Sequence, residues 1–550
     1  MKAWAAAALA STVLGAGPAF AIPKDFKAKA DAIMAKAYPA DGPGAVAVVY
    51  EHGRPVYAIG QGMADVEKGV KLTPSTPMRM GSVAKQFTSA VVMQLVEEGK
   101  VGLDDPLSKY LPDYPKPGAD ATIRQLLNHT SGIQSYTGIP GFMKDHSSEK
   151  HSTAQLIAVF RDKPAAYANG AEWAYNNSGY VLLGAVVEKV TGLNWWDAID
   201  QRIARPLKLQ SLRYGGLPDG EKGMAKGYRL QDGKAVAAHP LDMSVPHAAG
   251  ALVSDAGDLA RWAEAFHTGK VVKPSSYAQM IAPTTLPGGK TENYGFGLIP
   301  GEVRGHPSVG HDGGIFGFST DTLYLTKEGV FVAVLANTER PRIDPEMVTR
   351  QLAALAIGDP YETFTAQALD PKAAEPFAGI YRTGNVERAV YVKDGKLFTR
   401  RKGGGPLEVL SAGDGRYFYD GSLSWFTLAK GADGKPVMTF HQEGAAKGDV
   451  LAYAGPIPAD APIVAVPRAQ LDRLAGTYNG PVPVLVAVDG AGVLTLKFGP
   501  QDVTHLMPES PTRFRVKEIE AAVSFQEEGG KVTGLTIHQN GRDLPIKKAD

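Results

Sequence analysis

The sequence predicts an α+β chain, one mixed antiparallel sheet covered by helices, followed by two small antiparallel β-barrels. Three observations predict it. Strand-like runs stand at both ends of the stretch 44–357, with helical periodicity between them. Near residue 360 that periodicity stops, and short alternating runs with Asp-Gly and Gly-Gly turns take over. The tail also repeats itself. Phe377-Ala378-Gly379-Ile380-Tyr381 matches Leu474-Ala475-Gly476-Thr477-Tyr478, and Met438-Thr439-Phe440-His441-Gln442 matches Leu535-Thr536-Ile537-His538-Gln539, both at an offset of 97 residues.

Taken in order, residues 1–21 read as a secretory leader. Lys2 precedes an alanine-rich apolar run, and Ala19-Phe20-Ala21 forms an A-x-A cleavage site. Residues 44–62 form a hairpin, with Ala45 to Tyr50 going out, Glu51 to Arg54 turning and Pro55 to Gly60 returning. Val83, Phe87, Val91 and Leu95 make one apolar stripe of a helix from Ser82, stopped by Gly99. A short helix is expected over 103–111, closed by Pro112, and another over 122–132. Polar loops run to about residue 152. The stretch 171–179 is a loop entering a helix at Tyr180, and 195–209 and 255–268 read as further helices. Two strands, Thr322–Leu325 and Val330–Ala336, and a closing helix over 344–357 complete the first part. The boundaries are 22–360 for this part, 361–465 for a first, lipocalin-like barrel and 466–550 for a second.

Length and ordinary apolar content allow two to four domains with a sizeable core. The net charge is +1, and removing the leader with Lys2 leaves a neutral chain, which argues against nucleic acid or an anionic membrane as partner. After the leader no run of about 18 apolar residues occurs, so no membrane anchor is expected. The sequence contains no cysteine, which excludes disulfides, a thiol nucleophile and a lipidated N-terminal Cys. A soluble, secreted, periplasmic protein is the expectation, with its oligomeric state open.

The chemistry points to Ser82 and Lys85. A serine at the head of a helix meets free N–H groups and the positive end of the dipole, and a lysine three residues on shares its face. Such a pair can act as nucleophile and base. A second S-x-x-K, Ser147-Ser148-Glu149-Lys150, lies in a polar run without apolar period and reads as a solvated loop. Tyr167-Ala168-Asn169 likewise lacks a following helix. There is no G-x-S-x-G elbow, no H-E-x-x-H and no P-loop, and no cofactor or metal is expected.

Gly81-Ser82-Val83-Ala84-Lys85, Tyr175-Asn176-Asn177 and His311-Asp312-Gly313, in that order, resemble the three motifs of the penicillin-recognising serine hydrolases, in the class C β-lactamase-like branch. The flanks match too: Leu103-Asp104-Asp105-Pro106, Leu126-Leu127-Asn128-His129-Thr130-Ser131-Gly132 and Gly310-His311-Asp312-Gly313-Gly314. The resemblance covers about residues 40–357. It implies that Ser82 attacks a carbonyl, that Lys85 and Tyr175 share its proton with the Tyr175 pKa lowered, and that Asn177 binds a substrate amide. It places the oxyanion between the N–H groups of Ser82 and Gly314, with His311 and Gly313 in the substrate-binding motif. The departure is His311, where β-lactamases and carboxypeptidases of the superfamily usually carry Lys. A mostly neutral group there argues against carboxylate-bearing substrates. Strand alternation turns Asp312 away from His311's face, so no catalytic role is assigned to it. The three-part layout is similar to that of bacterial D-aminopeptidases. The resemblance thus implies a serine hydrolase of small molecules or peptides, D-aminopeptidase-like. An esterase of the same machinery and a non-catalytic cell-wall-binding protein are the competing readings, and the intact triplet of motifs argues against the last.

Overall fold

The computed structural model describes residues 22–549 except 459–461, 481–482, 500–502, 518 and 540. The expected leader lies outside the described residues. The chain divides into two compact units, one ending at Tyr361 and one beginning at Glu362.

In the first unit, α1 (Phe26–Ala37) precedes the hairpin β1 (Ala45–Glu51) and β2 (Arg54–Gln61). His52 and Gly53 join these strands with φ of 47° and 72°, the double positive φ that suits a tight turn to the strands' twist. The principal helices are α2 (Lys85–Glu97), α3 (Asn177–Thr191) and α4 (Ala256–His267). Four strands follow, β3 (Ile299–Val303), β4 (His306–Ile315), β5 (Phe318–Leu325) and β6 (Val330–Ala336), and then α5 (Pro345–Ala356). The six strands form one antiparallel sheet in the order β3-β4-β5-β6-β1-β2.

Burial explains the sheet's composition. Val46 and Val48 of β1 and Ala333 and Leu335 of β6 join one core with Phe87, Val91 and Leu95 of α2 and Trp262 and Phe266 of α4. The alternate residues Ala45, Ala47, Val49, Val332 and Val334 are buried as well. A sheet covered on both faces reads as a continuous apolar run rather than an alternating one.

Several expected helices differ in extent. Over 103–111 only Leu107–Lys109 forms a 3-10 turn, because Pro106 is extended at ψ 148° and cannot continue a helix. The 122–132 helix shrinks to Ile123–Leu127, capped reciprocally by Thr122 and Gln125, and the chain reverses at His129 (φ 64°) before Gly132 is reached. Helix α3 starts at Asn177, three residues before Tyr180, because the Asn176 side chain accepts the Gly179 N–H and caps it. The 195–209 helix is interrupted by a π-helical turn at Asp200–Ala204, just before Pro206 removes a backbone donor.

The second unit holds two closed eight-stranded antiparallel barrels. The first runs from Gly379–Thr383 to Asp449–Gly455 and the second from Gly476–Asn479 to Arg542–Lys548. The repeat is structural as well as sequential. Tyr381 Oη donates to the Phe377 carbonyl and Tyr478 Oη to the Leu474 carbonyl, each at 2.6 Å, and both tyrosines are fully buried at the entry of their barrels. The second repeated segment lies in the seventh strand of each barrel, Pro436–His441 and Lys531–Gln539.

Candidate active site

Ser82 sits one turn before α2, in a 3-10 turn spanning Gly81–Ala84. Gly81 has φ 53°, and a Cβ there would lie 3.1 Å from both the N and the O of Gly314. Glycine is required twice over at this position, by the left-handed backbone and by the close pass of β4. That pass brings Ser82 beside Gly314.

Lys85 opens α2 and is fully buried. Its Nζ lies 2.9 Å from Ser82 Oγ, 2.8 Å from Asn177 Oδ1 and 2.9 Å from the Ala249 carbonyl. Burial pulls its pKa down to about 7, with Asp312 acting in the other direction. The geometry says what the neutral amine does. Its two N–H groups satisfy the two carbonyl oxygens, which aims the lone pair at the Ser82 hydroxyl. The amine is therefore a base near neutral pH, already in contact with the proton it would take.

Tyr175 and Asn177 arrive through the cap of α3. Asn176 N–H donates to His129 Nδ1 at 3.2 Å, and the Asn176 amide donates to the Ile133 carbonyl. The buried His129 ring packs 4.4 Å from Tyr175 and 4.5 Å from Tyr294, centroid to centroid. Asn177 accepts from Lys85, and its Nδ2 donates to Thr137 Oγ1 at 3.3 Å. Tyr175 leaves 38 % of its surface exposed, and Lys85 Nζ stands 4.8 Å from its ring centroid. The expectation of a lowered Tyr175 pKa is corrected. Desolvation pushes it well above 10, a hydrogen bond with Ser82 opposes this, and Asp312 raises it further. With Lys85 about half discharged near neutrality, the cation beside Tyr175 is only a partial one and does not offset the desolvation of the phenolate. Tyr175 is a phenol that can donate a proton.

On β4, His311 is buried and lies behind the cleft wall. Its Nδ1 faces the Asp312 carbonyl at 2.6 Å and its Nε2 lies 2.9 Å from Tyr294 Oη. The carbonyl calls for the proton on Nδ1, leaving Nε2 to accept from Tyr294. Burial lowers its pKa to about 4, so His311 is neutral at pH 7. Gly313 is buried; a Cβ there would meet the Met80 carbonyl at 2.1 Å and Thr320 Oγ1 at 2.4 Å.

Two clefts meet at Ser82, Asn177 and Gly314. One, of about 530 Å³, is lined by Trp173, Tyr175, Glu292, Asn293, Tyr294 and Asp312 among others. The other, of about 280 Å³, is lined by Met143, Leu241, Ile315, Phe316 and Phe318 among others. Asp312 is on the face opposite His311, as alternation requires, yet it lines the first cleft with 65 % of its side chain exposed. The second S-x-x-K stands apart, with Lys150 exposed; Ser147, expected in a solvated loop, is itself buried, its hydroxyl donating to the Pro240 carbonyl at 3.4 Å.

Sequence reasoning missed Trp173, Tyr294 and the packing role of His129. His129 carried a signal, since it lies in a motif flank and a polar ring amid apolar neighbours needs partners. Tyr294 carried none, because its only link to the site is through space.

A family model described as Beta-lactamase matches residues 30–356. Penicillin-binding protein 4* of Bacillus subtilis (strain 168) is 25 % identical over 423 residues, which is 72 % of this chain and 92 % of that protein. Teichoic acid D-alanine hydrolase of Staphylococcus aureus is 28 % identical over 298 residues, 53 % of this chain and 69 % of that protein. The solved structure of the octameric penicillin-binding protein homologue from Pyrococcus abyssi superposes with a TM-score of 0.55 at 26 % identity, covering 78 % of this chain and 98 % of that one.

Proposed function

This chain belongs to the Beta-lactamase family and is a serine hydrolase, and we propose that it works through an acyl-enzyme at Ser82 on small D-aminoacyl amides or peptides. The observation that carries the mechanism is the 2.9 Å contact between Ser82 Oγ and a lysine amine whose pKa burial has lowered to about 7. Lys85 takes the Ser82 proton as Oγ attacks the substrate carbonyl carbon. The oxyanion forms beside the N–H groups of Ser82 and Gly314. When the intermediate collapses, the bond to the leaving group breaks, and the departing atom receives a proton from Tyr175. Tyr175 regains it from the Lys85 ammonium, which returns the amine to its neutral state. Water then attacks the acyl carbon, and Lys85 serves again as base.

The D-aminoacyl preference is supported by the D-alanine hydrolase activity for which the staphylococcal relative is named and by a neutral His311 where a fixed cation would hold a substrate carboxylate. A fluorophosphonate label located by mass spectrometry, with a panel of D-aminoacyl amides and short-chain esters, tests the reading. Label is expected on Ser82, and Ser82→Ala should abolish it and cut turnover by roughly 10³-fold or more. Label on Ser147, or full turnover by Ser82→Ala, overturns it.

Export to the periplasm is part of the same proposal, supported by the leader-like residues 1–21 and the absence of cysteine from the sequence. The mature protein should begin at Ile22 on N-terminal sequencing; a retained Met1 in the exported fraction contradicts this.

A further inference from the structure

The larger cleft carries a charge that takes no direct part in the proton transfers. Asp312 and Glu292 both line it, within one cavity that also holds Ser82. Glu292 is paired with Lys290 at 2.6 Å. Asp312 is not so compensated. Among the described residues its one basic neighbour within ion-pair distance is His311, whose Nδ1 is 3.8 Å away and which burial keeps neutral. The remaining side chains of the wall are the aromatic Trp173, Tyr175 and Tyr294 together with the uncharged Ser82, Asn177, Asn293 and Ile299. A carboxylate with no charged partner within ion-pair distance, beside aromatic faces, favours a cation and repels an anion. The second cleft, across Ser82, presents Met143, Leu241, Ile315, Phe316 and Phe318 instead. A substrate carbonyl held at Ser82 and Gly314 therefore has one substituent in an acidic cleft with aromatic walls and the other in a mainly apolar one, whose lining also holds the oppositely charged Glu339 and Arg340.

We infer that Asp312 is the specificity-determining residue of this site, receiving the ammonium of a cationic substrate and turning away substrates that carry a carboxylate at that place. This deepens the reading of Ser82 as nucleophile and rests on it for the position of the carbonyl. It moves the charge discrimination from His311, which lies buried behind Tyr294, to the next residue, which faces the cleft. Because Asp312 is largely exposed, the effect is a screened one of about tenfold, and salt weakens it.

A matched series isolates the charge: D-alanine amide, D-lactamide and methylmalonic acid monoamide present an ammonium, a hydroxyl and a carboxylate on the same frame. Turnover of the wild-type protein should fall in that order, with kcat/KM for the ammonium about tenfold above the hydroxyl. Asp312→Asn should collapse that ratio to within about twofold, and 1 M salt should compress it in the wild type. Glu292→Gln, which removes a carboxylate already paired, should change the ratio less than threefold. Calorimetric binding of the same three amides to Ser82→Ala and to Ser82→Ala/Asp312→Asn reads the charge preference without chemistry. Equal ratios with and without Asp312, in turnover or in binding, overturn the inference while leaving the Ser82 reading intact. Charge-ordered binding with no acylation of Ser82 by any substrate supports the inference and overturns the Ser82 reading instead.

Discussion

At the scale of single residues, the proposed mechanism turns on one desolvated amine. Lys85 would be a charged, useless base in water at pH 7; burial lowers its pKa to about 7 and leaves half of it neutral there. In the proposed mechanism the active form is the deprotonated one, so acylation rate should rise about tenfold per pH unit below 7 and level off above it. Lys85→Ala should remove that limb together with roughly 10³-fold of kcat/KM. Tyr175→Phe should keep the limb, because a phenol whose pKa is pushed well above 10 does not titrate there. Stopped-flow acylation across pH 5–9, on the three proteins, checks both statements. Loss of the limb in Tyr175→Phe would instead make the tyrosine part of the titrating base.

At the scale of elements, the site depends on two segments that pass too closely for side chains. Gly81 at the head of the 3-10 turn and Gly313 on β4 leave room for Met80, Ser82 and Gly314 to meet. Gly313→Ala would drive a methyl into the Met80 carbonyl. The expected cost is about 1–3 kcal/mol, seen as a lower Tm for the transition of the first unit, with acylation lost ahead of fold because Ser82 and Gly314 are pushed apart. An unchanged Tm and rate would show that β4 shifts freely. Helix α3 makes the complementary point. Its cap, not its apolar stripe, positions Asn177 against Lys85, and the cap is held by His129 through the Asn176 N–H.

At the scale of the whole molecule, every residue of the candidate site lies in the unit that ends at Tyr361, and that unit has its own continuous core. The second unit forms separate cores around Tyr381 and Tyr478. A chain ending after Tyr361 should therefore fold and take up the Ser82 label. Circular dichroism and labelling of that truncated chain check this; a folded but unlabelled product would mean that residues beyond 361 complete the site.

What the sequence by itself determined is local and periodic. The hairpin at 45–61, the stripe that makes α2, the strand Val330–Ala336 and the 97-residue repeat depend on neighbouring residues and came through at nearly their observed bounds. The three motifs were legible for the same reason, since each is a contiguous run. Where a proline or an asparagine cap competes with apolar spacing, as at Pro106 and Asn176, periodicity misplaced the helix ends. Tertiary structure alone decided the chemistry of those motifs. It buried Lys85 enough to discharge about half of it at pH 7 and raised rather than lowered the Tyr175 pKa. It also set His311 behind Tyr294 and left Asp312 facing the cleft. Each of these is a matter of desolvation and of groups far apart in the chain meeting in space, and neither quantity is a property of any stretch of sequence.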